Sequence, residues 1–402
     1  MNEATDSQEP IRLGEEYSQD PHAMYRRMRQ DGAARPVILP NEWPVWVVTS
    51  YEDARALLAD ARLSKDPARI AKLLPEGNDG AYGTQLAGHM LNSDPPEHTR
   101  LRRLVNKAFT SRAVERLRPR IEQVADELLD AMPHGATVDL VDAYALPLPI
   151  TVISELLGVP AADRDDFRDW SLTIVSMMSG EKTAEASSRM IAFLTALIED
   201  KIASPSDDLL SELVRVSDEE GGKLSPEARS MAFLLLIAGF ETTVNLIANG
   251  VLALLRHPDQ LALLRSEPER LPDAIEEVLR FDGPGHATLL RSTTEPVPAG
   301  DTEIPAGQLV QFAMLSANRD GARFTDPDRF NITRRPGGHL GFGHGIHHCL
   351  GAPLARLEGQ IAIGALLGRF PGIALDPATE SLTRGESVIM NGLNALPVRM
   401  SS

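Results

Sequence analysis

The 402-residue sequence predicts a mainly α-helical fold with small β-sheets. Three observations lead there. Helical periodicity runs unbroken for about 30 residues up to His257, which is about 45 Å of helix. A second long pattern, "APLARLEGQIAIGALLGRF", spans 352–370. The β-like stretches are short and grouped, with no repeats and no low-complexity linker between elements. One large domain covering 1–402 is therefore expected, with 1–10 disordered.

The elements follow in order. Residues 1–20 read as a loose lead-in. "PHAMYRRMRQDG" is a short helix stopped by Gly32, and "PVWVVTS" (44–50) has the β-branched and aromatic content of a strand. "YEDARALLAD" returns to helix. Glycines between 77 and 88 mark a mobile loop, and helical patterns resume at 97–133, 147–158, 161–180 and 184–202. The long helix opens with Ser225 as N-cap, Pro226 at its first position and Glu227 in its first turn. So long and apolar a helix must cross the protein interior. "PDAIEEVLRF" (272–281) is another helix. "LLRSTTEPV", "TEIPAG" and "QLVQFAMLSAN" read as short strands joined by turns.

Composition narrows the function classes. Hydrophobic residues at 43% and charged ones at 24% describe an ordinary soluble protein. A net charge of −17 argues against nucleic acid as a partner. One cysteine excludes an intrachain disulfide framework and suits a reducing cytoplasm. "MNEATDSQEP" lacks an apolar signal core, and "MAFLLLIAG" (231–239) falls short of a membrane span before Glu241. Neither secretion nor a membrane anchor is expected. The charge is uneven: from His98 to Arg120 there are seven arginines and a lysine against the single Glu115. That run reads either as a solvated amphipathic helix or as a basic docking patch.

The lone cysteine sits in "GFGHGIHHCLG" (341–351) with three of the ten histidines. A nucleophile there could borrow His347 or His348 as base, yet the flanking glycines would go unexplained. His339, His344, His347, His348 and Cys349 could all bind zinc, but their spacing matches no usual finger. A third reading is a lone axial thiolate for haem iron. Glycines let backbone approach a flat macrocycle, and the helix start that follows favours the thiolate charge.

"FGHGIHHCLG" (342–351) resembles the haem-binding signature of the cytochrome P-450 superfamily, Phe-Gly-x-Gly-x-His/Arg-x-Cys-x-Gly, with Phe342, Gly343, Gly345, His347, Cys349 and Gly351 in place. "EEVLR" resembles that family's Glu-x-x-Arg pair as Glu277 and Arg280, and "DPDRF" its meander, with Arg329 expected to complete a buried network. "AGFETT" (238–243) resembles its oxygen-activation motif. "DPPEHTRLRRLV" (94–105) is similar to its third helix, and "SANRD" (316–320) is typical of soluble bacterial members, apart from Gly321 where proline is usual.

What the resemblance implies is specific. The fold would be a triangular helical prism with the long central helix over haem b, and Cys349 would be the axial iron ligand. His98, Arg102, Arg291 and His347 would contact the propionates, with Phe342, Gly343, Gly351 and Ala238 lining the macrocycle. Thr242 and Glu241 would handle protons during oxygen activation, and Gly239 would open the oxygen groove. Leu86, Met90, Met177, Met178, Leu234, Ala238, His286, Ala287, Leu289, Met390 and Asn391 would line the substrate cavity, with His286 and Asn391 each placing one hydrogen bond. Arg103, Lys107 and Arg112 would dock a small acidic ferredoxin fed by an NAD(P)H-dependent reductase. The implied activity is monooxygenation of a lipophilic secondary metabolite by a cytoplasmic monomer. Macrolides or polyketides come first; steroids, terpenoids and peptides, or a non-catalytic haem sensor, are the alternatives.

Overall fold

The computed structural model describes residues 9–14, 16–75, 88–175, 181–219, 226–335, 337–379 and 381–401. They fall into two compact units, each assembled from separated stretches of chain.

The first unit takes residues 1–83, 249–349 and 381–394. Its six-stranded sheet has the spatial order Ile11–Arg12, Ala34–Ile38, Pro44–Val48, Leu309–Phe312, Arg291–Thr293, Leu63–Ser64. Pro44–Val48 pairs antiparallel with Ala34–Ile38 but parallel with Leu309–Phe312, its second partner from far along the chain. Val45, Val47, Val48, Leu309, Val310 and Phe312 are all buried. Such a run of apolar residues marks a strand covered on both faces. One apolar cluster joins Val48, Tyr51, Leu57, Val310, Phe312 and Leu340; another joins Tyr17, Tyr25, Val47, Leu309 and Leu315. The helix Pro21–Asp31 starts on an Asp20 cap, and Tyr51–Leu58 on a Ser50 cap whose hydroxyl accepts from Asp53 N–H. "QLVQFAMLSAN" is not strand throughout: the strand stops at Phe312 and Met314–Ala317 forms a helical turn.

The second unit takes 84–248, 350–380 and 395–402. Ala352–Arg369 packs on Arg118–Asp130, where Arg369 pairs with Asp126 and Asp130. Tyr144 donates its hydroxyl to Ala362 O at 2.9 Å. Glu181–Ala203 lies against Arg164–Val175 and Leu209–Glu219, with Phe193 against Phe167 and Trp170. A three-stranded antiparallel sheet has Pro397–Arg399 between Thr137–Asp139 and Ala374–Leu375.

The central helix spans Pro226–Arg256, as its periodicity predicts, while the expected cap Ser225 lies outside the described residues. Its Arg229–Arg256 portion is long and apolar enough to cross a membrane. The residues of its most apolar window are 61% buried inside the protein, however, which marks a core helix.

Candidate active site

In the first unit the cysteine loop hangs from a buried ion-pair network. Arg280 meets Glu277 in a bidentate pair, Nε to Oε2 at 2.7 Å and Nη2 to Oε1 at 2.8 Å, with both side chains 3% exposed or less. Arg280 Nη1 also donates to Asn318 O and Pro327 O. Asn331 N–H donates to Glu277 at 2.8 Å. The second guanidinium on Glu277 belongs to Arg334, 3.3 Å away, and not to Arg329. Arg329 is exposed and lends the network only its carbonyl, which accepts from Arg280. The expected three-residue network exists, but with Arg334 in the third place. Asn318 then reaches the loop by accepting from Leu340 N–H, and His339 meets Glu276 at 3.0 Å.

The loop's geometry explains its glycines. Gly343 and Gly345 have φ of 72° and 76°, in the left-handed region where a Cβ is strained. A Cβ at Gly345 would also lie 2.9 Å from Ala59 Cα and 3.0 Å from Leu58 O. Cys349 donates its N–H to Phe342 O at 2.9 Å, is in no disulfide and is exposed. Three residues later Ala352 begins its helix. Arg291 is buried, donates to Leu58 O at 3.0 Å and lies over Phe312. His347 ends the short turn Gly345–His347 and is partly buried.

The second unit carries the central-helix residues. Thr242 donates to Ala238 O at 2.8 Å and Thr243 to Gly239 O at 3.0 Å. Ala238 is exposed, and Ile237, Gly239, Glu241 and Thr242 beside it are half-buried. A Cβ at Gly239 would lie 3.2 Å from Ile153 Cδ1, so the glycine also accommodates a neighbouring helix, Pro147–Leu156. Burial alone pushes the Glu241 carboxyl up to about 7. On Glu97–Ala108, His98 and Arg102 are one turn apart. His98 is buried, and that burial, followed by the nearby Arg102, holds its imidazole below the ordinary value.

Glu358 escapes the sequence reading. It is 2% exposed on Ala352–Arg369, and burial pushes its carboxyl up to about 8 against an opposing hydrogen bond with Thr243. The available signal was a glutamate inside the apolar run of that helix.

The expected cavity residues divide by unit. Met90 and Leu234 are buried in the second, and Ala287 is buried in the first with Leu289 and Met390 half-buried. Leu86, Met177, Met178 and the Lys107 side chain lie outside the described residues. His286 offers no polar atom to a substrate: Nδ1 meets Tyr25 OH at 3.1 Å and Nε2 meets Ser387 O at 2.8 Å. The Asn391 amide nitrogen is likewise committed to Asp282 and Gly283 O, while its Oδ1 is buried without a donor among the described residues. Arg103 and Arg112 are exposed. Arg100, Arg118 and Arg120 pair with Glu97, Glu115 and Glu155, so part of the basic run is neutralised locally.

The donor set fits haem with a single thiolate better than zinc. Among the described residues no three His, Cys, Asp or Glu side chains gather into a metal cage, so the loop histidines do not join Cys349 in one. One soft donor on a glycine loop is what an axial ligand needs.

Comparisons with known proteins agree. The family profile described as Cytochrome P450 matches residues 149–390, more than half of the chain. Cytochrome P450 107B1 of Saccharopolyspora erythraea is 51% identical over 95% of this chain and 96% of its own length. The cytochrome P450 monooxygenase PikC of Streptomyces venezuelae is 49% identical over 96% of this chain and 92% of its own. The solved P450 monooxygenase TamI with tirandamycin C bound superposes with a TM-score of 0.91 at 48% identity, over 98% of this chain and 100% of that one.

Proposed function

The chain belongs to the cytochrome P450 family and is a haem-thiolate monooxygenase; from that premise we propose that it inserts one atom of O2 into a lipophilic secondary metabolite of the macrolide or polyketide kind. The single observation that carries the residue assignment is Cys349. It is the chain's one cysteine, exposed on a glycine loop and fixed through its own N–H. When bound, haem supplies the reductive activation of O2 and the transfer of one oxygen atom.

This chain's residues supply the rest. Cys349 gives the thiolate. Arg291 and His347, with His98 and Arg102, balance the propionate charge. Thr242, resting on the Ala238 carbonyl, and Glu241, with its carboxyl raised to about 7, hold and pass the two protons that accompany two electrons and leave as water. A carboxyl titrating near working pH suits repeated proton transfer. Ala238, Met90, Leu234, Ala287, Leu289 and Met390 give the substrate apolar contact, and C–H hydroxylation or epoxidation follows from which carbon they present. A relative solved with tirandamycin C bound supports that substrate class. Electrons come from NAD(P)H through a reductase and a small acidic ferredoxin, which Arg103, Lys107 and Arg112 attract. The enzyme works as a cytoplasmic monomer with one catalytic domain.

The test is an absorption spectrum of the purified protein, reduced under CO and titrated with macrolides, steroids and terpenoids. A band near 450 nm, lost in Cys349→Ala, together with a spin shift for macrolides alone, is the expected result. A band surviving in the variant would remove Cys349 as ligand; a shift only with steroids or terpenoids would move the substrate class.

A further inference from the structure

We propose that His286 is a positioning residue for substrate orientation, clamping the segment Gly285–Leu289 onto the segment Ser387–Asn391. This rests on the reading above, in which Ala287, Leu289 and Met390 face the substrate.

The two segments need a clamp. They are joined by one isolated bridge, Gly285 to Met390. That bridge is made by His286 N–H to Ile389 O and Asn391 N–H to Pro284 O, and Ala287 N–H adds a longer bond to Ile389 O. A pair of extended segments this short is marginal on its own. Two side chains from the same unit reinforce it. Gln311 Nε2 donates to Thr288 O at 2.8 Å and to Val388 O at 3.1 Å, one carbonyl from each segment. His286 crosses the same gap from the other direction, its Nε2 reaching Ser387 O at 2.8 Å.

A carbonyl only accepts, so Nε2 carries the proton. Burial pulls the His286 pKa down to about 4, which leaves the ring neutral and Nδ1 an acceptor. The Tyr25 hydroxyl donates to it at 3.1 Å, and the Tyr17 hydroxyl lies 2.8 Å from that of Tyr25. Tyr17 also packs edge-on against the imidazole, with ring centroids 4.9 Å apart. Both tyrosines are fully buried. The imidazole therefore has one tautomer and one orientation, set from the side opposite Ser387. A histidine meant to touch substrate would not have both nitrogens committed in this way. One that sets the spacing of two cavity-bearing segments would.

The test uses holoenzyme and two azoles read by the Soret shift: imidazole, which engages the iron alone, and clotrimazole, whose aryl groups also press on the cavity wall. Replacing His286→Phe keeps a ring but loses both hydrogen bonds. It is expected to weaken clotrimazole about tenfold and imidazole less than about twofold. His286→Gln, whose amide nitrogen reaches the Nε2 position, is expected to restore clotrimazole to within about threefold of the parent. Tyr25→Phe, which removes the donor to Nδ1 and the bond to Tyr17 but keeps Nε2 on Ser387 O, should fall between the two and serves if His286→Phe does not fold. Unchanged clotrimazole binding in His286→Phe or Tyr25→Phe, or equal losses for both azoles, overturns the proposal while leaving the monooxygenase intact. No Soret shift with either azole in the parent protein would instead remove the haem reading, and this inference with it.

Discussion

Around the cysteine loop, buried carboxylates are surrounded by donors; on and beside the central helix no cation among the described residues faces them. Glu277 receives Arg280 in two bonds, Arg334 and the Asn331 N–H. Asp282 follows the same pattern. Burial would raise its carboxyl, yet Arg384, His22 and Arg319 pull it far below the usual range. In the second unit Glu241 and Glu358 are raised by burial to about 7 and about 8, with no cation among the described residues pulling them back. The chain thus uses the same side chain in two ways. A matched carboxylate stays ionised and holds loops in place, whereas an unmatched one can gain and lose a proton near neutral pH.

The largest effect should come from unmatching the first region. Glu277→Ala leaves Arg280 buried without its counter-charge, which costs on the order of 3–5 kcal/mol. Little haem-loaded protein should be recovered, and normal recovery would mean the network is not what holds the loop. Thr242→Ala probes the second region through its chemistry. Haem should stay bound while most NADH consumption ends in peroxide instead of product, measured by peroxide yield in the presence of substrate. Unchanged coupling would remove Thr242 from proton handling.

Glu358→Gln sharpens the contrast through pH. A carboxyl raised on folding binds its proton more tightly in the folded state. Its contribution to stability is therefore present below its ordinary value near 4.5 and is lost as pH rises toward about 8. Glutamine cannot ionise. The variant should match the parent near pH 5 and exceed it above pH 8, by an amount on the order of a few kcal/mol. Parallel denaturation midpoints across that range would show that Glu358 ionises freely in the fold. The smallest effects separate two neighbouring arginines. Arg334→Ala should cost about 1–2 kcal/mol, since Arg280 still faces Glu277, while Arg329→Ala should stay within about 0.5 kcal/mol. Reversed magnitudes would return Arg329 to the network.

These differences also mark how far the sequence could be read. Long elements are legible because periodicity repeats over many turns: the central helix and Ala352–Arg369 both lie where their patterns predict. The cysteine loop is legible because its glycines answer to backbone geometry at fixed spacing, as the positive φ of Gly343 and Gly345 shows. Partner choice is not legible. Arg329 and Arg334 are the same residue type five positions apart, and only the turn between them decides which guanidinium reaches Glu277. His286 looked available for a ligand because nothing local announces Tyr25, 261 positions away, as its hydrogen-bond donor. The fit of Gly239 against Ile153 is equally silent in the sequence, because Ile153 lies on another helix.

The interleaved chain path has a consequence for biosynthesis. Neither unit is a continuous stretch: the first needs residues through 394, and the second closes with 395–402. Pro397–Arg399 is the middle strand of its sheet, so Thr137–Asp139 and Ala374–Leu375 have no partner until those residues exist. During translation the helices can form early, but the second unit's sheet must wait until Pro397–Arg399 has left the ribosome. Apolar segments such as the central helix therefore spend that interval exposed, when a chaperone would matter most.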